Sequence, residues 1–499
     1  MAIQDAPEHF DVLIVGAGLS GIGAACHLRD ECPDKSFAIL ESRDAIGGTW
    51  DLFRYPGIRS DSDMFTLGYA FRPWTDAQSI ADGPSIRRYI VDTAREYGIQ
   101  ETIRFHHQVL SAEWSTPDAR WTVTVRRSDT GETVHLTCSW LSICAGYYRY
   151  DEGYRPRFEG EEHFAGELIH PQHWPEDLDV TGKRVVVIGS GATAVTLVPS
   201  LADDAEHVTM LQRTPSYILS LPGKDPLAQV LRKRLPATIA YPIVRWKNVL
   251  LSTLLYQFSK RRPAAARRLI RRLTQKQLPA GFDVDTHFNP PYDPWDQRLC
   301  LVPDGDLFRT LRRGKASIAT DRIAGFTEKG IALESGEHLD ADVIVTATGL
   351  NLQPMGGMSL VVDGAPVDVS EQVSYKGMML SGVPNLTMVI GYTNASWTLK
   401  ADLVNRYVCR LLQHLDAHGY ASATPVAPPE GADEPFLDLS SGYVQRSLAS
   451  LPKQGSRKPW KLHQNYIRDV QLMRRGPLDD EGMTFQRRST AARPEKAVA

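Results

Sequence analysis

The stretch Phe10–Leu28, FDVLIVGAGLSGIGAACHL, decides the fold. Phe10–Val15 is an unbroken apolar run with the length and β-branched character of a buried parallel strand. Gly16-Ala17-Gly18-Leu19-Ser20-Gly21 follows as a tight turn, and the small residues after it suit a helix packed closely on a sheet. A second apolar run, Phe37–Leu40, ends in Glu41. Strand, Gly-rich turn, helix, strand and acid in this order predict a βαβ dinucleotide-binding unit. The glycines let a pyrophosphate approach the helix N-terminus, and the Glu41 carboxylate can accept from ribose hydroxyls.

The pattern returns at Lys183–Leu201, KRVVVIGSGATAVTLVPSL. Here strand Arg184–Ile188 leads into Gly189-Ser190-Gly191-Ala192-Thr193-Ala194 and then Val195. The next strand, HVTMLQRTPS, ends in Gln212-Arg213-Thr214 instead of an acid. A carboxylate there would repel a 2′-phosphate, whereas Arg213 and the Thr214 hydroxyl can bind one. The first unit is therefore expected to hold FAD and the second NADP(H). The fold class is α/β, with two Rossmann-like domains and a helical insertion in the second.

Two further strands, Trp140–Gly146 and Asp342–Gly349, close in small residues and suit crossings between the domains. The predicted division is as follows. Residues 1–150 form the first part of the FAD domain, and 151–218 the linker and first part of the NADP domain. Residues 219–296 form a basic helical insertion, and 297–350 complete the NADP domain. Residues 351–485 return to the FAD domain, and 486–499 form a disordered tail.

Net charge is −3 over 499 residues, which argues against a dedicated nucleic-acid binder. The N-terminus lacks a basic start followed by an apolar run, so no secretory signal is expected. No apolar run is long enough to span a bilayer. The six cysteines contain no CxxC pair, which predicts reduced thiols in a cytoplasmic protein and speaks against a flavin disulfide reductase. The charge is unevenly spread: residues 221–280 carry 14 Lys/Arg and one acid, Asp225, with apolar residues at helical spacing between them. Three readings stay open for this segment: a solvated face, contact with an anionic membrane surface on the cytoplasmic side, and steering of a phosphate-rich cofactor.

Two other stretches carry chemistry. In GGTWDLFRYPGIRSD, Gly47 to Asp61, the glycine pair permits close approach to a flavin and Trp50 offers a stacking face. In FAGELIHPQHWP, Phe164 to Pro175, His170 and His173 suggest zinc, but Pro171 and Pro175 disfavour a regular helix and no further ligand stands at metal spacing. No metal is expected. A Ser/His/Asp hydrolase is unsupported as well, because no G-x-S-x-G elbow is present.

Together the Gly47–Asp61 stretch, the two Gly-rich turns and FAGELIHPQHWP resemble the type I Baeyer–Villiger monooxygenases, class B flavin monooxygenases. The family motif F-x-G-x-x-x-H-x-x-x-W followed by Pro or Asp is matched by Phe164, Gly166, His170, Trp174 and Pro175. RYPGIRSDSDM, GYYRYDEGY, RWKNVL, PWDQRLCLVPDGDLFR, YKGMMLSG, GYTNASWTLKADL and LPKQGSR extend the likeness over nearly the whole chain. They resemble the branch that holds a mycobacterial ethionamide-activating enzyme and bacterial long-chain alkane monooxygenases.

The resemblance implies an enzyme in which NADPH reduces FAD and a C4a-peroxyflavin then inserts one atom of O2 into a ketone, giving an ester or lactone. Sulfide oxidation, or oxidation of long alkyl chains near a membrane, is implied as an alternative. By motif position the catalytic arginine is Arg298 and the acid beside it Asp61; a permanently charged forked donor suits a developing oxyanion. Ser20, Glu41, Thr49, Trp50, Asp61 and Val109 fall at family FAD positions. Arg59, Ser60, Ser190–Val195, Arg213 and Thr214 fall at NADP positions. Trp397 fits either a substrate-pocket wall or a core aromatic. The chain departs at Gln297, where ketone-oxidising members have a lysine on the 2′-phosphate, so the phosphate clamp must lean on Arg213 and Thr214.

Overall fold

The structure, a computed structural model, describes residues 7–487. Strand His9–Val15 lies inside a nine-stranded sheet, parallel to Phe37–Leu40 on one side and to Thr133–Ile143 on the other. Val12, Leu13 and Ile14 are fully buried, so both faces of the strand are covered and no polar alternation is needed. Helix Leu19–Glu31 follows the turn. At Gly21 a Cβ would stand 1.9 Å from the Gly16 carbonyl oxygen, so only glycine lets the helix close onto the turn.

The same sheet continues through antiparallel strands Arg120–Arg127 and His107–Ser115. It is completed late in the chain, where Leu386–Met388 pairs in parallel with Thr133–Ile143. Helix Trp397–His418 then packs against Leu19–Glu31. The late helix contributes Leu403, Val404 and Leu411 to the same buried core as Ile22 and Ala25 of the early one.

A second sheet has five strands, all parallel, in the order Ala316–Thr320, His207–Gln212, Arg184–Ile188, Val343–Thr346, Glu167–Ile169. Helix Ala192–Leu201 covers it, burying Ala194, Leu197 and Val198. The edge strand comes from the first half of FAGELIHPQHWP. That stretch is expected from sequence as a linker, and part of it is instead a strand of the second sheet, because its apolar Leu168 and Ile169 dock beside Val343–Thr346. The two sheets are joined by an antiparallel ribbon of Tyr148–Gly153 and Leu350–Leu352.

The insertion between strands His207–Gln212 and Ala316–Thr320 of the second sheet is helical: Pro226–Arg232, Ala237–Arg261, Pro263–Gln275 and Val284–Phe288. Two of these helices begin with proline, whose missing N–H costs nothing at that position. The start differs from expectation, since residues 218–221 form strand Ile218–Leu221, parallel to Cys300–Pro303. The expected tail differs at its start too: Gln486 and Arg487 belong to strand Met483–Arg487, which pairs with Tyr420–Pro425. Residues 488–499 of that tail lie outside the described residues. All six cysteines are free and buried. Among the described residues no helix is long and apolar enough to cross a membrane.

Candidate active site

The first Gly-rich turn presents the start of helix Leu19–Glu31 without a side-chain cap: Gly18 occupies the cap position and no side chain bonds the first amides. Those N–H groups are unpaired donors at the positive end of the helix, as a pyrophosphate needs. Gly47 and Gly48 close over the turn, and Gly18 and Gly47 form an isolated β-bridge. The buried Glu41 carboxylate accepts the Ala17 N–H at 2.7 Å and the Arg43 N–H at 2.9 Å, which fixes it at the mouth of the turn. Oε1 also accepts the Ser42 hydroxyl at 3.4 Å, and Oε2 keeps a further lone pair for a ribose hydroxyl. Thr49 opens the short helix Thr49–Leu52, with its hydroxyl 3.5 Å from that of Tyr150. Trp50 packs on the core behind the turn. Val109 is buried beside Val15 and Leu40, under the ends of the central strands. These residues fit an FAD adenosine diphosphate.

The second turn repeats the arrangement. Gly191 caps helix Ala192–Leu201 without a side-chain bond, and a Cβ built on it would meet nothing within 4 Å, so the approach to the helix start is open. The Ser190 hydroxyl donates to the Thr214 carbonyl at 2.9 Å and lies 2.9 Å from the Ser216 hydroxyl, tying the turn to the end of the next strand. There Arg213 is exposed, and among the described residues no ion pair or hydrogen bond engages its guanidinium. Gln212 points away: its amide donates to the His287 carbonyl at 2.9 Å and the Thr320 hydroxyl at 2.8 Å. The turn thus offers free amides and a free cation, and it fits a nicotinamide dinucleotide with a 2′-phosphate. Arg59 and Ser60 are engaged within the protein. Arg59 forms an ion pair with Asp306, and the Ser60 hydroxyl donates to the Ser62 carbonyl.

Between the two turns runs the loop Phe53–Asp61. Phe53 and Tyr55 are buried in the core of the second sheet although they follow the first Gly-rich unit in sequence. At Gly57 a Cβ would fall 1.9 Å from the Ser200 hydroxyl, so the loop lies directly on helix Ala192–Leu201. This bridging delivers Asp61 to Arg298, which stands just before strand Cys300–Pro303. The two meet as a fork: Arg298 Nε is 2.7 Å from Asp61 Oδ2, and Nη2 donates to Oδ1 at 2.9 Å. The Asp61 charge beside it holds the guanidinium proton more tightly than usual, so Arg298 is a permanent cation.

Three tyrosines, Tyr147, Tyr148 and Tyr443, lie within electrostatic range of that guanidinium. Burial raises all three hydroxyls above the ordinary tyrosine range, Tyr148 to about 12, so they are neutral hydrogen-bonding groups. The Tyr147 ring lies 5.1 Å from that of Trp397, and the Trp397 indole N–H donates to the Ser20 hydroxyl at 2.8 Å. A chain of contacts therefore runs from Tyr147, within electrostatic range of Arg298, through Trp397 to the first Gly-rich turn. Sequence reasoning assigned no role to Tyr147, Tyr148 or Tyr443. The first two follow Gly146 at a strand end, a position where side chains face a cofactor crevice; Tyr443 carries no local signal.

The FAGELIHPQHWP residues form a clasp. At Gly166 a Cβ would stand 2.3 Å from the Asp342 carbonyl oxygen and 2.5 Å from the Phe164 ring, which explains the Phe-x-Gly spacing. The His170 ring covers Gly153, where a Cβ would lie 1.9 Å from it. His170 Nε2 donates to the Gly349 carbonyl at 3.3 Å, and Nδ1 accepts the Gln172 N–H at 3.2 Å. Burial lowers its pKa, consistent with a neutral ring. His173 turns instead to the Asp151 carbonyl, at 3.0 Å. Gln172, buried within the motif and missed from sequence, donates to the carbonyls of Arg149 and Tyr150, both at 2.9 Å. Trp174 packs on the core of the second sheet, and Pro175 turns the chain away with its carbonyl accepting the Leu178 N–H. His170 and Gln172 thus pin the ribbon that joins the two sheets.

Comparison with known proteins bears on this arrangement. A family model described as flavin-binding monooxygenase-like matches residues 75–415, and one described as an NAD(P)-binding Rossmann-like domain matches residues 14–79. The chain is 59% identical to the FAD-containing monooxygenase EthA of Mycobacterium tuberculosis, covering 96% of this chain and 98% of that one. It is 46% identical to the probable FAD-binding monooxygenase AlmA of Acinetobacter baylyi, covering 97% of each. Among solved structures, an oxidised steroid monooxygenase bound to NADP superposes with a TM-score of 0.72 at 24% identity, covering 96% of this chain and all of that one.

Proposed function

The chain belongs to the flavin-binding monooxygenase-like family, and on that premise we propose that it is an FAD- and NADPH-dependent Baeyer–Villiger monooxygenase. Its substrates are ketones, which it converts with one oxygen atom of O2 into esters or lactones; it also oxidises sulfides. The observation that carries this reading is the forked Arg298–Asp61 pair, set between two uncapped Gly-rich turns, with Tyr147 in its electrostatic range and Trp397 linking Tyr147 to the first turn.

FAD, when bound, supplies the redox chemistry with O2. The chain's own residues bind and orient. The amides behind Gly18 hold one pyrophosphate and those behind Gly191 the other. Arg213 and Thr214 receive the 2′-phosphate. Arg298 presents N–H donors, preorganised by Asp61, to negative charge that develops on the substrate oxygen, and its charge does not depend on pH in the working range. Tyr147, Tyr148 and Tyr443 place neutral hydroxyls in the range of that charge.

The test is incubation of the purified flavoprotein with NADPH, air and a panel of linear, cyclic and aryl ketones and sulfides, with product analysis by mass spectrometry. Ester or lactone carrying one atom from labelled O2 is expected. NADPH oxidation without any oxygenated product across the panel would overturn the reading. A second reading keeps the cofactors and takes long alkyl chains near a membrane as substrate. It is favoured by the exposed apolar helix described below, and long-chain alkanes in the same panel separate the two.

A further inference from the structure

Among the described residues thirteen large hydrophobic side chains are exposed, and all but Leu110 lie between residues 221 and 273. Six of them, Ile239, Ile243, Trp246, Leu250, Leu254 and Phe258, recur every three or four residues on helix Ala237–Arg261 and are 39–65% exposed. That spacing puts them on one face, a stripe roughly 28 Å long at 1.5 Å per residue. The opposite face is anchored. Buried Arg245 donates to the carbonyls of Phe65 and Gly68, both at 2.7 Å, and pairs with Asp402 at 3.3 Å. Asn248 donates to Asp63 at 2.7 Å. With these bonds the helix cannot rotate its stripe inward. The next helix, Pro263–Gln275, adds exposed Leu269 and Leu273.

The segment that carries the stripe is almost entirely cationic in its charged residues. The sole acid of residues 221–280, Asp225, is paired with Lys247. Ten of the 14 cations, including Lys233, Arg234, Arg262, Arg268 and Arg272, have no acidic partner among the described residues. A second copy of this face would bring like charge against like charge. An anionic phospholipid bilayer offers both apolar depth and negative charge.

We propose that helix Ala237–Arg261 lies in the interface of an anionic lipid bilayer, its apolar stripe inserted and the cations of helix Pro263–Gln275 on the phosphates. The inner flank of the same helix borders a cleft lined by Val249, Tyr256, Asn394 and Ala395, next to Trp397.

The test is co-sedimentation of the FAD-loaded, full-length protein with vesicles of phosphatidylcholine alone and of phosphatidylcholine with phosphatidylglycerol. Binding to the anionic vesicles is expected at low ionic strength, with weakening as salt rises. The pairs Leu250→Glu with Leu254→Glu, and Arg268→Glu with Arg272→Glu, are each expected to lower the partition about tenfold or more. All four sites are exposed, and retained flavin content and melting temperature report an intact fold. Absence of anionic-vesicle binding by the wild type overturns the proposal, as does binding that both variants keep. Light scattering is run in parallel. A stable dimer that the leucine variant dissolves, with no vesicle binding, assigns the stripe to a second copy instead.

Discussion

Arg298 and Asp61 are 237 residues apart in the chain and joined at 2.7 Å in space. Geometry as well as charge matters here, because a lysine keeps the charge but cannot fork. Arg298→Lys and Arg298→Ala are both expected to leave flavin reduction by NADPH near normal and to lower product formation by roughly 10²–10³-fold. Stopped-flow absorbance for reduction and product quantification for oxygenation separate the two steps; equal losses in both would place Arg298 elsewhere. Arg213, exposed at the second turn, has no ion pair or hydrogen bond on its guanidinium among the described residues. Arg213→Ala is expected to lower kcat/KM for NADPH by roughly 10- to 100-fold and to leave that for NADH unchanged, the range of lost charge-assisted hydrogen bonds. Steady-state kinetics with both nucleotides check it.

At the scale of the element, the segment Phe164–Pro175 is edge strand, clasp and exit turn in one. Gln172→Leu would leave the Arg149 and Tyr150 carbonyls unpaired in a buried place. A loss of about 1–3 kcal/mol is expected in denaturant unfolding. Gly166→Ala must displace the Asp342 backbone or the Phe164 ring, and a loss of similar or larger size, about 1–3 kcal/mol, is expected. His170 supplies a pH dependence. Burial lowers its folded pKa below the ordinary 6.5. The neutral ring's contribution to stability is therefore fully present above 6.5 and is lost as pH falls through the lowered value. The melting temperature of the wild type should drop more steeply on acidification below pH 6.5 than that of His170→Gln, whose side chain cannot take up a proton. Parallel melting curves of the two proteins would refute the assignment.

At the scale of the molecule, the first sheet is closed by residues that arrive after the second. Leu386–Met388 pairs with Thr133–Ile143, and helix Trp397–His418 covers Leu19–Glu31. A fragment ending at residue 150 exposes Ile22, Ala25 and Leu28, buried in the whole chain. That fragment is expected to lack a cooperative melting transition and to bind no flavin, read by circular dichroism and absorbance. A folded, yellow fragment would show that the late segment only decorates the first sheet.

How much was legible follows from the range of each interaction. The two Gly-rich turns could be read directly, since strand, turn and helix start are contiguous and their glycines answer to contacts within a few residues, as Gly21 does with Gly16. Arg298 and Asp61 were found through likeness to a family, since nothing local in PWDQRLCLVP or in GIRSD points one at the other. Tyr443 and Gln172 were missed: Tyr443 reaches Arg298 only through the fold, and the amide of Gln172 is defined by carbonyls of another strand. The edge strand Glu167–Ile169 was read as linker, because three residues carry too little periodicity.

By itself, then, the chain's order of residues determined the α/β class, the two dinucleotide turns and the basic, apolar character of residues 221–280, all properties of short-range pattern. Tertiary structure alone decided that the loop Phe53–Asp61 crosses to the second sheet, that Arg298 is forked by Asp61, and that the Ala237–Arg261 stripe faces outward. The reason is physical. Helix and strand periods come from backbone geometry repeated every few residues, whereas these placements depend on which distant surfaces bury one another, and packing settles that only when the whole chain is folded.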